Sequence, residues 1–414
     1  MAEKPALRTE DGWNTEILDD AGAWYEDHFA FRNEMVTAYA EITGKLFGVS
    51  SQDSVIVGKN NWLYYKDSLR DYQGTDLMTK RQLFNVAHTL AMIQTYAEEN
   101  GIDFAFTIAP NKNSLYGSNM PYYYQLFRTR ENNVLRIQKY LEEEQVHYVD
   151  LYGIFRDENE VLYHARDSHW NNKGAAMAAD RILSYLGKDH PSYKDRAYEV
   201  RKDFEGDLDA MLYPAAVTKE DEIYYNPQPQ FSYCEEVESN FEPKISTVGQ
   251  EDSGSLVMYR DSFGNALLPY MAEVYGNAYF SRGVPYQLSD LFACEADTLV
   301  IERAERFLPD MACNAPMMAA PLIVSDELEN VEFTADIPDL EIVRQGAFTK
   351  ITGTVPDKML SVHSRIYIRV NELLDYEAFP VSDEDGKEGF QLLVATETLM
   401  DEGNTFEMYV SPDK

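Results

Sequence analysis

The chain has 414 residues, 44% of them hydrophobic and 13% aromatic, which is the profile of a folded protein rather than a disordered one. Its 71 acidic and 36 basic residues leave a formal net charge of −35. That charge excludes nucleic acid as an expected partner, because phosphate binding needs a basic surface, and it disfavours adhesion to an anionic membrane. The length exceeds what one packed core usually spans, so two domains are expected.

In chain order, a helical pattern runs over 21–47, followed by a strand, a turn and a strand over 55–65. A helix is expected over 80–99, closed by Asn100-Gly101, and then a buried strand over 103–108 that ends at Ala109-Pro110-Asn111-Lys112. A helix over about 131–144, a strand over 146–151 and a helix over 173–186 continue the alternation. The acidic stretch of about 188–250 reads as irregular. A strand over 255–259, a helix over 265–275 and a strand over 298–301 follow. Strands alternating with helices of this length imply a mostly parallel sheet covered on both faces, a three-layer α/β domain over 1–312. A linker over 313–327 and a small β-sandwich domain over 328–414 are expected next, since five short alternating strands, over 340–343, 348–355, 364–370, 390–394 and 405–410, with Pro, Gly and Asp turns replace the helices there.

Cys234, Cys294 and Cys313 are too few and too scattered for a disulfide framework or a zinc knuckle. They read as plain thiols, although an exported protein can pair two of them. No apolar run of about 18 residues occurs, so no membrane-spanning helix is expected. The opening Met1-Ala2-Glu3-Lys4-Pro5 is no signal peptide. This leaves either a cytoplasmic protein or an export segment or anchor outside the given sequence.

Two short segments carry chemistry. In Arg260-Asp261-Ser262-Phe263-Gly264, a serine stands between a buried strand and a helix start, where its hydroxyl is exposed and first-turn N–H groups can meet an oxyanion. Asp167 and His169 lie two apart in a loop before the next helix, so in an extended piece they project to one side. A serine hydroxyl needs a neighbouring base, and a neutral imidazole needs a partner that fixes its tautomer. Ser262, His169 and Asp167 supply those roles. Asn111, Lys112 and Asn113 follow another strand end and can add a polar donor for substrate or oxyanion, as can Arg260.

Plainer readings stand beside these. A serine before a helix is often an N-cap, His169 can be a structural histidine, and residues 111–113 can be turn formers. His164, Asp167 and His169 share one short loop with no distant fourth ligand, so no metal is expected. Trp62 and Gly206-Asp207-Leu208 read as structural.

Asp167-Ser168-His169-Trp170-Asn171, followed by Lys173-Gly174-Ala175, resembles the D-x-H-W motif of the DHHW and alginate-acetyltransferase-like SGNH proteins. Residues 57–64, Pro110-Asn111-Lys112 with Tyr116, Gly206-Asp207-Leu208 and Arg260–Gly264 match the same pattern, so the resemblance covers roughly 20–312. It implies an SGNH-like α/β/α fold and O-acetyl transfer to an exopolysaccharide or cell-wall glycan outside the cytoplasmic membrane. No cofactor is implied. The implied partners are the polysaccharide substrate and a membrane-bound O-acyltransferase that supplies acetyl. Ser262 would be the nucleophile, His169 the base and Asp167 its orienter. Two positions depart from the pattern: Ser168 stands for the usual first histidine, and Arg260 for the glycine of a G-D-S element.

Overall fold

Phe104, Phe106 and Ile108 point to one side of their strand, Ala105 and Ala109 to the other, and this two-residue alternation organises the core. The structure is a computed structural model. It describes residues 4–412 except 10–11, 15, 29–30, 250–252, 325–327, 329–330 and 384–385. The strand in question, β1 (Asp103–Ala109), joins β2 (Tyr148–Val149), β3 (Phe231–Tyr233), β4 (Lys244–Gly249), β5 (Ser255–Tyr259), β6 (Asn277–Ser281) and β7 (Thr298–Ala304) in a seven-stranded sheet. The order is β2-β1-β7-β5-β6-β4-β3. Strands β2 through β6 in that order run parallel, and β4 and β3 are added antiparallel at one edge.

On one face Phe104, Phe106, Val257, Tyr259, Leu299 and Ile301 share a core with Leu83, Leu90, Ile137 and Leu141 of helices α1 (Lys80–Glu99) and α2 (Asn133–Glu143). On the other, Ala105, Leu256, Met258 and Val300 share one with Ala176, Ala179, Leu267 and Met271 of α3 (Asn172–Tyr185) and α4 (Gly264–Ala272). The result is the three-layer α/β/α arrangement with a mostly parallel sheet. Helix α1 starts where expected because Thr79 accepts from the Gln82 N–H at 3.1 Å while the Gln82 side chain accepts from the Thr79 N–H at 2.9 Å.

Three differences from the sequence reading have physical reasons. The helical pattern over 21–47 divides into Ile17–His28 and Arg32–Phe47, with Phe31 at a left-handed φ of 68° that no glycine announces. The stretch 188–250 is not irregular. It holds a hairpin, Tyr198–Glu205 with Lys219–Tyr225, and then β3 and β4 of the main sheet. Tyr198–Glu205 is almost wholly exposed, and Lys202 interrupts the alternation of Tyr198, Val200 and Phe204 where the hairpin register shifts. The third difference lies in the C-terminal sheet, where a sixth strand appears.

That separate sheet contains β8 (Glu341–Gln345), β9 (Phe348–Thr354), β10 (Ile366–Val370), β11 (Leu374–Ser382), β12 (Glu388–Ala395) and β13 (Phe406–Val410), ordered β8-β9-β12-β11-β10-β13 and antiparallel throughout. Strand β11 pairs with β10 through Leu374–Ala378 and with β12 through Phe379–Ser382. The sequence reading omitted it, since it contains Pro380, which cannot donate to a ladder. Of the segment 313–327 read as a linker, 325–327 lie outside the described residues, and the Ala320 N–H donates to Leu393 O of β12 at 2.9 Å.

Helix α1 joins this sheet to the first domain through buried polar groups. Arg81 donates to the carbonyls of Val362 and Ser364 at 3.1 and 2.5 Å. His88 lies between Glu144 (Nδ1 to Oε2, 2.8 Å) and Glu377 (Nε2 to Oε1, 3.1 Å). Burial opposes protonation of His88, but its bonds to the two carboxylates outweigh this and raise its pKa above the usual histidine value. A raised folded-state pKa adds stability that is fully present below the unfolded value of about 6.5 and lost as pH rises through the folded value. The urea midpoint of the wild type is therefore expected to fall as pH rises above about 6.5. His88→Asn should lack that slope, and equal slopes in the two proteins would contradict the assignment.

Candidate active site

Strand β5 is central and ends at the carboxyl edge of the parallel sheet, where ligands of such sheets bind. Asp261 ties the following turn down: its Oδ1 accepts the Phe263 N–H at 2.9 Å and its Oδ2 accepts the Ala304 N–H at the end of β7 at 2.7 Å. Its own N–H donates to Glu302 at 3.1 Å. Burial, then the neighbouring Asp261 carboxylate, push the Glu302 pKa well above the ordinary carboxylate value. A Cβ on Gly264 would run into the Arg260 side chain, so the turn needs glycine there.

This turn leaves Ser262 half-buried, and its hydroxyl does not cap α4. Ser262 Oγ lies 2.8 Å from His169 Nε2, and His169 Nδ1 lies 2.8 Å from Asp167 Oδ1. Residues 93 positions apart thus meet in one line of hydrogen bonds. Asp167 also accepts the His169 N–H at 2.8 Å and the Asp207 N–H at 2.7 Å. Burial opposes ionisation of Asp167, yet the bond to His169, its charge and these N–H groups hold the carboxyl well below the usual range. Trp170 joins the two segments, donating from Nε1 to Phe263 O at 3.1 Å with its ring edge-on to Phe263.

The other sequence candidates stand behind this line. Lys112 is buried and donates to the carbonyls of Leu63, Ala165 and Asp167, each at 2.7 Å. Burial pushes its pKa down to about 7, while three carbonyl oxygens take its three ammonium hydrogens. Its ammonium also lies 4.9 and 5.2 Å from the ring centres of Trp62 and Tyr64, which links two segments of the sequence resemblance. Asn111 donates its backbone N–H to Glu305 at 2.7 Å and its side-chain amide to Asp71 at 3.4 Å, and the Asn113 amide donates to Ser68 O at 3.0 Å. Arg260 is buried, with its guanidinium on the carbonyls of Asn240 and Glu242 at 3.0 and 3.1 Å and on Asn265. These four side chains are spent on holding loops rather than aimed at Ser262. His164 turns away to Glu222 at 2.8 Å.

Two residues at the site were not among the sequence candidates for it. Asp207, read as structural, accepts from the Ser168 N–H at 2.8 Å and from Ser168 Oγ at 2.6 Å, with its carboxylate 3.6 Å from His169 Nδ1. Gly206 before it lies so close to the Arg166 carbonyl that a Cβ would collide. Asp167, His169 and Asp207 bring ligand atoms within 4.8 Å of one another, but every one of those atoms is already hydrogen-bonded within the protein. Arg306, just after β7, has its guanidinium 5.4 Å from the Phe263 ring centre and 5.5 Å from that of Tyr65. It also lines a groove of about 700 Å³ with Lys66, Asp67, Arg70, Asp76 and Phe307.

Among the described residues no helix is long and apolar enough to cross a membrane, and Cys234, Cys294 and Cys313 form no disulfide with one another. No curated protein matches the chain. Its structure is similar to a DHHW family protein from Eubacterium siraeum (16% identity, TM-score 0.44, 54% of this chain and 85% of that one). It is also similar to PatB1 of Bacillus cereus (13%, 0.47, 62% and 97%) and to the O-acetyltransferase domain of AlgJ from Pseudomonas putida (14%, 0.41, 67% and 95%). The family model described as the SGNH hydrolase-like domain of acetyltransferase AlgX matches residues 55–246, a span that holds Asp167, His169 and Asp207 and stops before Ser262.

Proposed function

We propose that the protein is an O-acetyltransferase that carries an acetyl group on Ser262 to a sugar hydroxyl of an extracellular polysaccharide or cell-wall glycan. The observation behind this reading is the continuous line Ser262 Oγ–His169 Nε2–Asp167, with both links to the imidazole at 2.8 Å. With Asp167 ionised, the neutral imidazole keeps its proton on Nδ1 and presents a lone pair at Nε2 to the serine hydroxyl. Ser262 Oγ attacks the acetyl carbonyl as its proton passes to Nε2. The same proton then goes to the departing oxygen of the donor, leaving the acetyl-serine ester. A sugar hydroxyl next gives its proton to Nε2, attacks the ester and releases Ser262. The Ser262 N–H, which no hydrogen bond occupies among the described residues, stands before α4, where a developing oxyanion is favoured.

The glycan is assigned to the groove lined by Arg306 and Phe307, because the Arg306 guanidinium lies 5.4 Å from the ring centre of Phe263, the residue after Ser262. Action on such a glycan places the protein outside the cytoplasm, with a membrane-bound O-acyltransferase as the source of acetyl groups.

The test is incubation with an activated acetyl ester, with and without glycan. Acetylated sugar formed at the expense of free acetate is the expected result. Acetate release indifferent to glycan, with no acetylated sugar, would instead make the protein a carbohydrate esterase with the same triad.

A further inference from the structure

We propose that Asp207 is a positioning residue for His169, acting through the hydroxyl of Ser168. The inference rests on the reading of His169 as the base of Ser262. The bonds around Ser168 define its hydrogen. Asp207 Oδ1 takes the Ser168 N–H at 2.8 Å, and Oδ2 lies 2.6 Å from Ser168 Oγ. A carboxylate only accepts, so the Ser168 hydroxyl must donate to it. Its oxygen is then an acceptor toward His169 Nδ1, 3.1 Å away. The Nδ1–H is consequently shared between Asp167 Oδ1 at 2.8 Å and Ser168 Oγ at 3.1 Å. Asp207 thereby favours the same tautomer as Asp167, and its charge, 3.6 Å from Nδ1, favours the imidazolium formed during each proton transfer.

The arrangement gives a chemical reason for serine where the family pattern has histidine. A hydroxyl can accept from one neighbour while donating to another, and here it relays Asp207 to Nδ1. Burial, and then the charge of Asp167, raise the pKa of Asp207, so this second carboxylate is the more easily protonated of the two. Besides His169, the charged or titratable groups that interact with it are Asp167, Lys112 and Tyr65. None of them bonds Ser168 Oγ among the described residues.

The experiment compares Asp207→Asn, Asp207→Glu, Ser168→Ala and the Asn/Ala double variant with wild type. It reads kcat/KM for a small acetyl ester across pH, and thermal stability in parallel. In Asp207→Asn the amide can donate to Ser168 Oγ, which turns the hydroxyl hydrogen toward Nδ1 and opposes the working tautomer. A loss of about tenfold is expected, with the acidic limb displaced by about one pH unit to lower pH because a negative charge has gone. Ser168→Ala should move the limb the same way, and the double variant should be no worse than Asp207→Asn alone. Asp207→Glu should restore part of the wild-type profile.

A limb that stays in place in Asp207→Asn, whether or not rate and stability fall, would reduce Asp207 to a loop fastener and overturn the proposal. Additive losses in the double variant would overturn the route through Ser168. The pH midpoint of the His169 imidazole NMR signals, followed in Ser262→Ala with and without Asp207→Asn, gives an activity-independent reading. A midpoint moved by Asp207→Asn supports the proposal even if the acetyltransferase reading fails, and an unmoved one rejects it.

Discussion

Ser262→Ala is expected to lower acetyl transfer by about 10⁴- to 10⁶-fold while leaving the fold unchanged. The hydroxyl is half-buried, bonds His169 at 2.8 Å and caps no helix, so its removal costs the structure one partly exposed hydrogen bond. The proposed chemistry, in contrast, loses the atom assigned to carry the acetyl group. His169→Ala should fall by a similar factor, and combining the two should add little, because a nucleophile and its base act as one unit. Circular dichroism and thermal melting should show both variants folded. Near-wild-type turnover in either would remove the triad from the mechanism.

Lys112→Met is expected to destabilise the protein by about 3 to 5 kcal/mol and to abolish activity without touching a reacting atom. The ammonium donates to the carbonyls of Leu63, Ala165 and Asp167, each at 2.7 Å, in a place where water cannot substitute. Methionine fills the space between Trp62 and Tyr64 but leaves three buried acceptors unpaired, and the penalty of unpaired groups dominates. One of those carbonyls belongs to Asp167, so the loop that carries Asp167 and His169 should loosen. Chemical denaturation measures the first effect and ester cleavage the second. A Lys112→Met protein as stable as wild type would show that these bonds contribute nothing net.

The alternation of strands and helices, and with it the layered fold, was legible because the buried strands β1, β5 and β7 are short apolar runs bounded by turns and helices. Ser262, His169 and Asp167 were legible as types in telling local settings. Asp207 was legible only as part of the Gly206-Asp207-Leu208 match and not as a site residue, because its bonds to Ser168 span 39 positions. Arg306 was missed for the same reason. Lys112 and Arg260 were legible as polar groups near strand ends, but their direction was not: each side chain turns inward to backbone carbonyls. Strand β11 was hidden by Pro380, which cannot donate to a ladder, and Tyr198–Glu205 by Lys202, which interrupts the alternation of Tyr198, Val200 and Phe204.

By itself the sequence determined the periodicities, the punctuation and the chemical inventory: which segments bury, where they stop, and that a serine, a histidine and an aspartate stand beside helix starts. These are local properties, set by side-chain type and by spacings of a few residues. Tertiary structure alone decided the pairings. It laid the end of β5 against the loop before α3, brought Asp207 behind Ser168, and spent Lys112 and Arg260 on holding loops. The physical reason is that a hydrogen bond depends on distance and direction to within about an ångström, which residues 39 to 93 positions apart acquire only after the sheet has formed.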